Sequence, residues 1–128
     1  MDLYPHHLAT QPRQRLEAAI RRRVQTAYLG EGVVLARILG RQKIFLRSAD
    51  RGFACHLMLD GFWEIWLTQY LAGCVRPGMT VIDVGANYGY YTLLLADAVG
   101  EAGHVIAVEP NPDAVAEFRV LESTYGAE

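Results

Sequence analysis

Val81-Ile82-Asp83-Val84-Gly85-Ala86-Asn87-Tyr88-Gly89-Tyr90-Tyr91-Thr92 passes from a short apolar strand through a glycine-rich turn into a helix. Thr80 to Val84 reads as a short apolar strand, and Tyr88 to Val99 as a mostly apolar helix. Gly100 to Gly103 is a turn, and His104 to Val108 a second strand. Asn111 to Tyr125 is expected to be a second helix, with Asn111 as N-cap and Pro112 in the first turn. Its buried stripe would be Ala114, Val115, Phe118, Leu121 and Tyr125. Strand, helix, strand, helix with short connections is a portion of a doubly wound parallel sheet, so the fold class is α/β.

Each position of the turn has a physical use. Gly85 lets the chain leave the strand sharply and lets a ligand approach the backbone. Gly89 allows the following helix to pack close to the sheet. The start of that helix, near Tyr88, presents N–H groups and the positive end of a dipole, which suits a carboxylate. Asp83, at the strand's end, can hold an ammonium group directly or through water. A ligand with both groups is an amino acid, and S-adenosylmethionine has an amino-acid end. Glu109 ends the second strand, where doubly wound nucleotide-binding folds place the acid that accepts ribose hydroxyls. Two acids at the carboxyl ends of adjacent parallel strands face one crevice. A dinucleotide site is disfavoured: Asn87 takes the place of the middle glycine, and an acid before the turn would repel a pyrophosphate.

Upstream, Met1 to Gln11 reads as a loose lead-in, and Thr10-Gln11-Pro12 as a helix start. From Arg13 to Tyr28 the apolar residues Leu16, Ile20, Val24, Ala27 and Tyr28 recur at helical spacing, with Arg13, Arg15 and Arg21-Arg22-Arg23 on the other faces. Gly30 and Gly32 would end this helix. A narrow apolar stripe without Trp or Phe favours a solvated or partner-packed helix over a nucleic-acid or membrane binder. Val33 to Leu59 is expected to form an antiparallel meander from Val33-Val34-Leu35, Ile44-Phe45-Leu46 and Phe53 to Leu59. Trp63, Trp66, Leu67, Tyr70, Leu71 and Cys74 then follow one stripe of an amphipathic helix, which predicts core positions for both tryptophans. The predicted organisation is residues 1–30 as lead-in and basic helix, 31–75 as meander plus helix, and 76–128 as a Rossmann-like ligand-binding portion.

A chain of 128 residues, 52% hydrophobic and 20% charged, is globular rather than disordered, and a net charge of −2 gives no general pull towards polyanions. Cys55 and Cys74 are too few and too far apart for a disulfide framework and are expected to be buried small hydrophobes in a reducing compartment. No metal site is expected. No apolar run approaches the ~20 residues of a membrane span, and no signal sequence is legible at the start. A cytoplasmic protein is expected.

On these residues the chain resembles class I S-adenosylmethionine-dependent methyltransferases, and more narrowly the FkbM type. Arg76 to Thr92 is similar to that family's glycine-loop signature, including its asparagine. Glu109-Pro110-Asn111-Pro112 is similar to its EPNP element, and Asp60-Gly61-Phe62-Trp63-Glu64 to the G-wE that precedes the domain. The resemblance runs from Phe53 to about Glu122. It implies S-adenosylmethionine as cofactor and O-methyl transfer to a hydroxyl of a natural product or glycan. Asp83, Gly85, Ala86, Asn87 and Gly89 would contact the methionyl end, and Glu109 the ribose. Glu64 would either close the methionine pocket or cap and solvate its helix.

The family's sheet is larger, and only its first two strands are read here. The expectation is therefore a truncated product or fragment whose open strand edge makes it a homo-oligomer or the partner of a complementing polypeptide. The alternative is a non-catalytic module acting in protein interaction. No general base is assigned: His104 begins the second strand, His56 lies in the meander and His6-His7 in the lead-in. The expected partners are a small-molecule or glycan acceptor, with no nucleic acid and no membrane.

Overall fold

The computed structural model describes residues 2–116. The chain opens with α1 (Pro5–Thr10) and α2 (Arg13–Arg21), then β1 (Thr26–Gly30), β2 (Val33–Ile38) and β3 (Gln42–Arg47). Next come α3 (Ala54–Asp60), α4 (Ile65–Cys74), β4 (Thr80–Val84), α5 (Tyr90–Val99) and β5 (His104–Val108). β1, β2 and β3 form an antiparallel sheet, while β4 and β5 pair in parallel with α5 as the crossover. The α/β class is thus as expected, with a small three-stranded antiparallel sheet ahead of a parallel, Rossmann-like strand pair.

β4, β5 and the turn between them coincide with the predicted elements, and α5 begins two residues later than Tyr88. Asn111 caps the next helical turn, at residues 112–116, as predicted: its Oδ1 accepts the Asp113 N–H at 3.0 Å and its carbonyl the Val115 N–H. Ala114 is buried there; Phe118, Leu121 and Tyr125 lie outside the described residues.

Four upstream expectations are corrected. The lead-in contains α1, which starts on Pro5; the Gln69 side-chain amide donates to the Leu8 and Gln11 carbonyls near its C-terminus, at 3.0 and 2.8 Å. The basic helix stops at Arg21, and Thr26–Gly30 is a strand. Val24 and Thr26 are β-branched, and pairing of Thr26 with Ala36 and Tyr28 with Val34 gives this stretch a ladder, so the helical spacing is overridden. Gly30 and Gly32, with positive φ, turn a hairpin rather than end a helix. The stretch Phe53 to Leu59 is largely helical: α3 begins behind Asp50, whose Oδ1 accepts the Gly52 and Phe53 N–H groups, and ends at left-handed Gly61, whose N–H reaches the Leu57 carbonyl. The meander is therefore β1-β2-β3.

The fourth correction concerns α4. Its buried residues are Ile65, Thr68 and Ala72, whereas Trp66 and Tyr70 are 59% and 65% exposed and Cys74 is exposed. Thr68 turns inward because its hydroxyl bonds the Trp63 carbonyl and the Tyr90 hydroxyl, each at 2.8 Å. That pair satisfies two buried polar groups at once, and it rotates the helix away from its aromatic stripe. Cys55 is only half-buried, so the expectation of two core thiols fails as well.

A continuous core runs from Leu3 and Leu8 through Leu16 and Ile20, across Ile38, Ile44 and Leu46, to Leu57, Ile65, Tyr90 and Leu94. One face of the parallel pair is different. Ile82 and Val84 are 63% and 78% exposed, and Ile106 and Val108 beside them 51% and 47%. Sheets built this way ordinarily carry helices on both faces. No helix among the described residues is long and apolar enough to cross a membrane.

Candidate functional site

The parallel register fixes where the two acids stand. Asp83 pairs with Ala107 and Val84 with Val108, so the chain leaves both strands at the same level. The Gly85 and Ala86 N–H groups then both donate to the Val108 carbonyl, at 2.7 and 3.1 Å, which folds the glycine loop over the end of β5. Glu109 follows at once, and its Oε2 accepts the Asn87 N–H at 3.2 Å. Asp83 and Glu109 thus flank one loop at the carboxyl end of the sheet, the position at which open α/β sheets bind ligands.

Three of the five loop residues have positive φ: Gly85 at 77°, Asn87 at 52° and Gly89 at 97°. Asparagine is among the few side-chain-bearing residues that enter the left-handed region readily, which gives the departure from a middle glycine a conformational reason. A Cβ built at Gly85 meets nothing within 4 Å. Open space over a left-handed backbone position is what close approach by a ligand requires. Ala86 is buried below the loop, and Gly89 is the N-cap of α5.

Asp83 is tied to the helix it precedes. The Thr92 hydroxyl, in the first turn of α5, donates to its Oδ2 at 2.6 Å. Next to it, the Tyr91 hydroxyl donates to Glu64 Oε1 at 2.9 Å. Burial pushes the Tyr91 phenol up, and the hydrogen bond to Glu64 and the charges of Glu64 and Asp83 push it further, so it stays a donor. Glu64 itself stands at the N-cap position of α4 with φ 41°, yet its side chain makes no cap bond there. Glu64 therefore does not cap its helix; it is exposed, and its carboxylate accepts the Tyr91 hydroxyl of α5.

Sequence reading missed Tyr91, Thr92 and Tyr88 as supports of the site. Thr92 had a signal: nine residues after Asp83, it falls where the first helical turn returns over the strand end. Tyr88, buried at the centre of the loop, donates to Asp50 Oδ2 at 3.0 Å, a contact across 38 residues that no local pattern announces. His104 is exposed at the amino end of β5, away from the crevice as expected, while His56 is exposed on α3 rather than in a strand. Among the described residues no group of three His, Cys, Asp or Glu side chains is placed to hold a metal ion.

The model of the protein-L-isoaspartate(D-aspartate) O-methyltransferase family matches residues 63–122, just under half of the chain. The chain is 44% identical over 41 residues to a protein-L-isoaspartate O-methyltransferase of Methanothrix thermoacetophila, covering 32% of this chain and 20% of that protein. It is 46% identical over 48 residues to protein-L-isoaspartate O-methyltransferase 1 of Arabidopsis thaliana, 38% of this chain and 21% of that protein. It is also 51% identical over 35 residues to ribosomal RNA large subunit methyltransferase E of Hahella chejuensis, 27% and 17% of the two chains. The matched stretch therefore spans about a fifth of the length of these relatives. Their names give the methyltransferase class, not the FkbM type. Residues 63–122, which carry the glycine loop and both acids, are similar to S-adenosylmethionine-dependent methyltransferases of class I.

Proposed function

We propose that this chain carries the S-adenosylmethionine-binding portion of a class I methyltransferase. The observation behind it is the placement of Asp83 and Glu109 on either side of a left-handed glycine loop at the carboxyl end of two parallel strands. In this reading the Asp83 carboxylate takes the ammonium of the methionyl end, and the backbone of Gly85, Ala86, Asn87 and Gly89 lines its carboxylate and chain. Glu109 takes the ribose hydroxyls. The bound cofactor supplies an electrophilic methyl group on a sulfonium. The chain's own residues bind and orient it, which is the part of the rate that positioning supplies.

The acceptor is a finer matter. The relatives' names span protein and ribosomal RNA methylation, so they do not choose among acceptors. The FkbM-like sequence around Asn87, Glu109-Pro110-Asn111-Pro112 and Trp63-Glu64 supports O-methyl transfer to a hydroxyl of a natural product or glycan. No general base is assigned within the described residues.

Calorimetric titration with S-adenosylhomocysteine tests the cofactor reading. Saturable binding is expected, weakened roughly five- to tenfold by Glu109→Gln, because hydrogen bonds to a charged group exceed neutral ones by about 1 kcal/mol. Glutamine can still accept the Asn87 N–H, so the loop should hold. Absence of saturable binding by the unmodified chain would sink the reading.

A second reading, a module that associates with another polypeptide, is favoured by the exposed face of Ile82, Val84, Ile106 and Val108. Contiguous apolar surface of this kind commonly marks an interface. Sedimentation is expected to show concentration-dependent association, as a homo-oligomer, which a charged substitution, Val84→Lys, abolishes. A monomer at all concentrations would count against self-association.

A further inference from the structure

Asp50 lies in the turn between β3 and α3, 33 residues before the first site acid, and nothing in the loop signature includes it. We infer that Asp50 is a positioning residue for the glycine loop, acting through Tyr88. Its two carboxylate oxygens do different work. Oδ1 accepts the Gly52 and Phe53 N–H groups at 3.0 and 3.1 Å, which holds the turn and starts α3. Oδ2 accepts the Tyr88 hydroxyl at 3.0 Å. The Tyr88 ring lies parallel to Phe53, 15° between planes and 6.1 Å between centroids, and Phe53 meets Trp63 edge-on at 5.0 Å.

The reason the loop needs such an anchor is conformational. Asn87 sits in the left-handed region between two left-handed glycines, and each such non-glycine residue is held there only by its surroundings. Above, Asn87 is held by Glu109 through its N–H; on the other side, the next residue is pinned by ring and hydroxyl to the antiparallel-sheet half of the molecule. Tyr88 is 7% exposed although it belongs to a surface turn. Burial would raise the Asp50 carboxyl, but the Phe53 N–H, the Tyr88 hydroxyl and the Gly52 and Ala54 N–H groups hold it below its ordinary value. Burial, and then the bond to and charge of Asp50, push the Tyr88 phenol up to about 12, against a smaller opposing effect of Arg47. A charged acceptor therefore faces a protonated donor throughout the neutral range. The inference rests on the cofactor reading only for the identity of the loop's ligand.

The test separates the two. Tyr88→Phe keeps the ring on Phe53 and leaves the Asp50 turn intact, so it removes the tie alone. In the full chain without ligand, amide exchange at residues 85–89 is expected to speed up about tenfold, with β2 and α2 unchanged. Asp50→Ala should produce the same loop effect, and adding Tyr88→Phe to it should give nothing further, the non-additivity that marks a shared contact. Asp50→Asn, which keeps an oxygen for the turn and an amide that can bond the Tyr88 oxygen, should restore the loop to within about a factor of two of the unmodified chain. S-adenosylhomocysteine affinity should fall about fivefold in Tyr88→Phe, as expected for one lost hydrogen bond. Unchanged loop exchange in Tyr88→Phe overturns the inference and leaves Asp50 as a turn residue only. If the unmodified chain binds no S-adenosylhomocysteine, the cofactor reading fails, and the exchange data still decide the role of Asp50.

Discussion

Asp83→Asn is expected to weaken S-adenosylhomocysteine binding by roughly 10- to 100-fold while leaving the folded chain close to its original stability, since a lost charge-assisted bond is worth about 1.5–3 kcal/mol. The separation of the two effects comes from the geometry. The internal partner of Asp83 is the Thr92 hydroxyl, a neutral donor at 2.6 Å, and an asparagine oxygen can accept it. What asparagine cannot supply is a negative charge for the ligand's ammonium group. Glu109→Gln should cost less, because the ribose hydroxyls it would hold are neutral. Calorimetry with thermal unfolding of the same samples reads both quantities. Equal affinity in the two forms would remove Asp83 from the site.

The second large effect lies at a residue with no chemistry. Gly103→Ala is expected to destabilise the fold by about 1–3 kcal/mol, the range for overpacking at a tight position. A Cβ there would lie 2.3 Å from the Cβ of Val99 and 2.7 Å from the Met79 carbonyl oxygen. Neither can step aside: Val99 is 2% exposed at the end of α5, and the Met79 carbonyl accepts the His104 N–H at 3.0 Å. That bond starts the register that sets Thr80 against His104 and, three residues on, Asp83 against Ala107. Displacing β5 from β4 would therefore move Glu109 relative to Asp83, and ligand affinity should fall with stability. Gly73→Ala is the contrast. Its Cβ would meet Ala9 at an ordinary 3.7 Å inside α4, and the helix should gain about 0.5–1 kcal/mol. Chemical denaturation of both variants checks the pair, and a neutral Gly103→Ala would show that the turn yields.

Residues Thr80 to Val108 were legible because their signals are local. A strand, a glycine loop, a helix and a strand each carry their own period and punctuation, and the acids fall at strand ends by counting along the chain. Asn87 could be read as a departure from glycine, and its left-handed backbone is the local reason it serves. Upstream, local signals pointed both ways. Val24, Ala27 and Tyr28 keep a helical spacing, but ladder pairing with β2 makes Thr26–Gly30 a strand. Phe53 to Leu59 looks like an apolar strand, but Asp50 and Gly61 supply the start and stop of a helix.

The sequence by itself determined the α/β class, the parallel strand pair and the positions of Asp83, the glycine loop and Glu109, because these depend on residues near one another in the chain. Tertiary structure alone decided that Trp66 and Tyr70 face outward, since burying Thr68 with Tyr90 fixes the rotation of α4. It alone placed Glu64 against Tyr91 and Asp50 against Tyr88, contacts spanning 27 and 38 residues. Such pairings answer to the packing of separate elements, and no period along the chain encodes them.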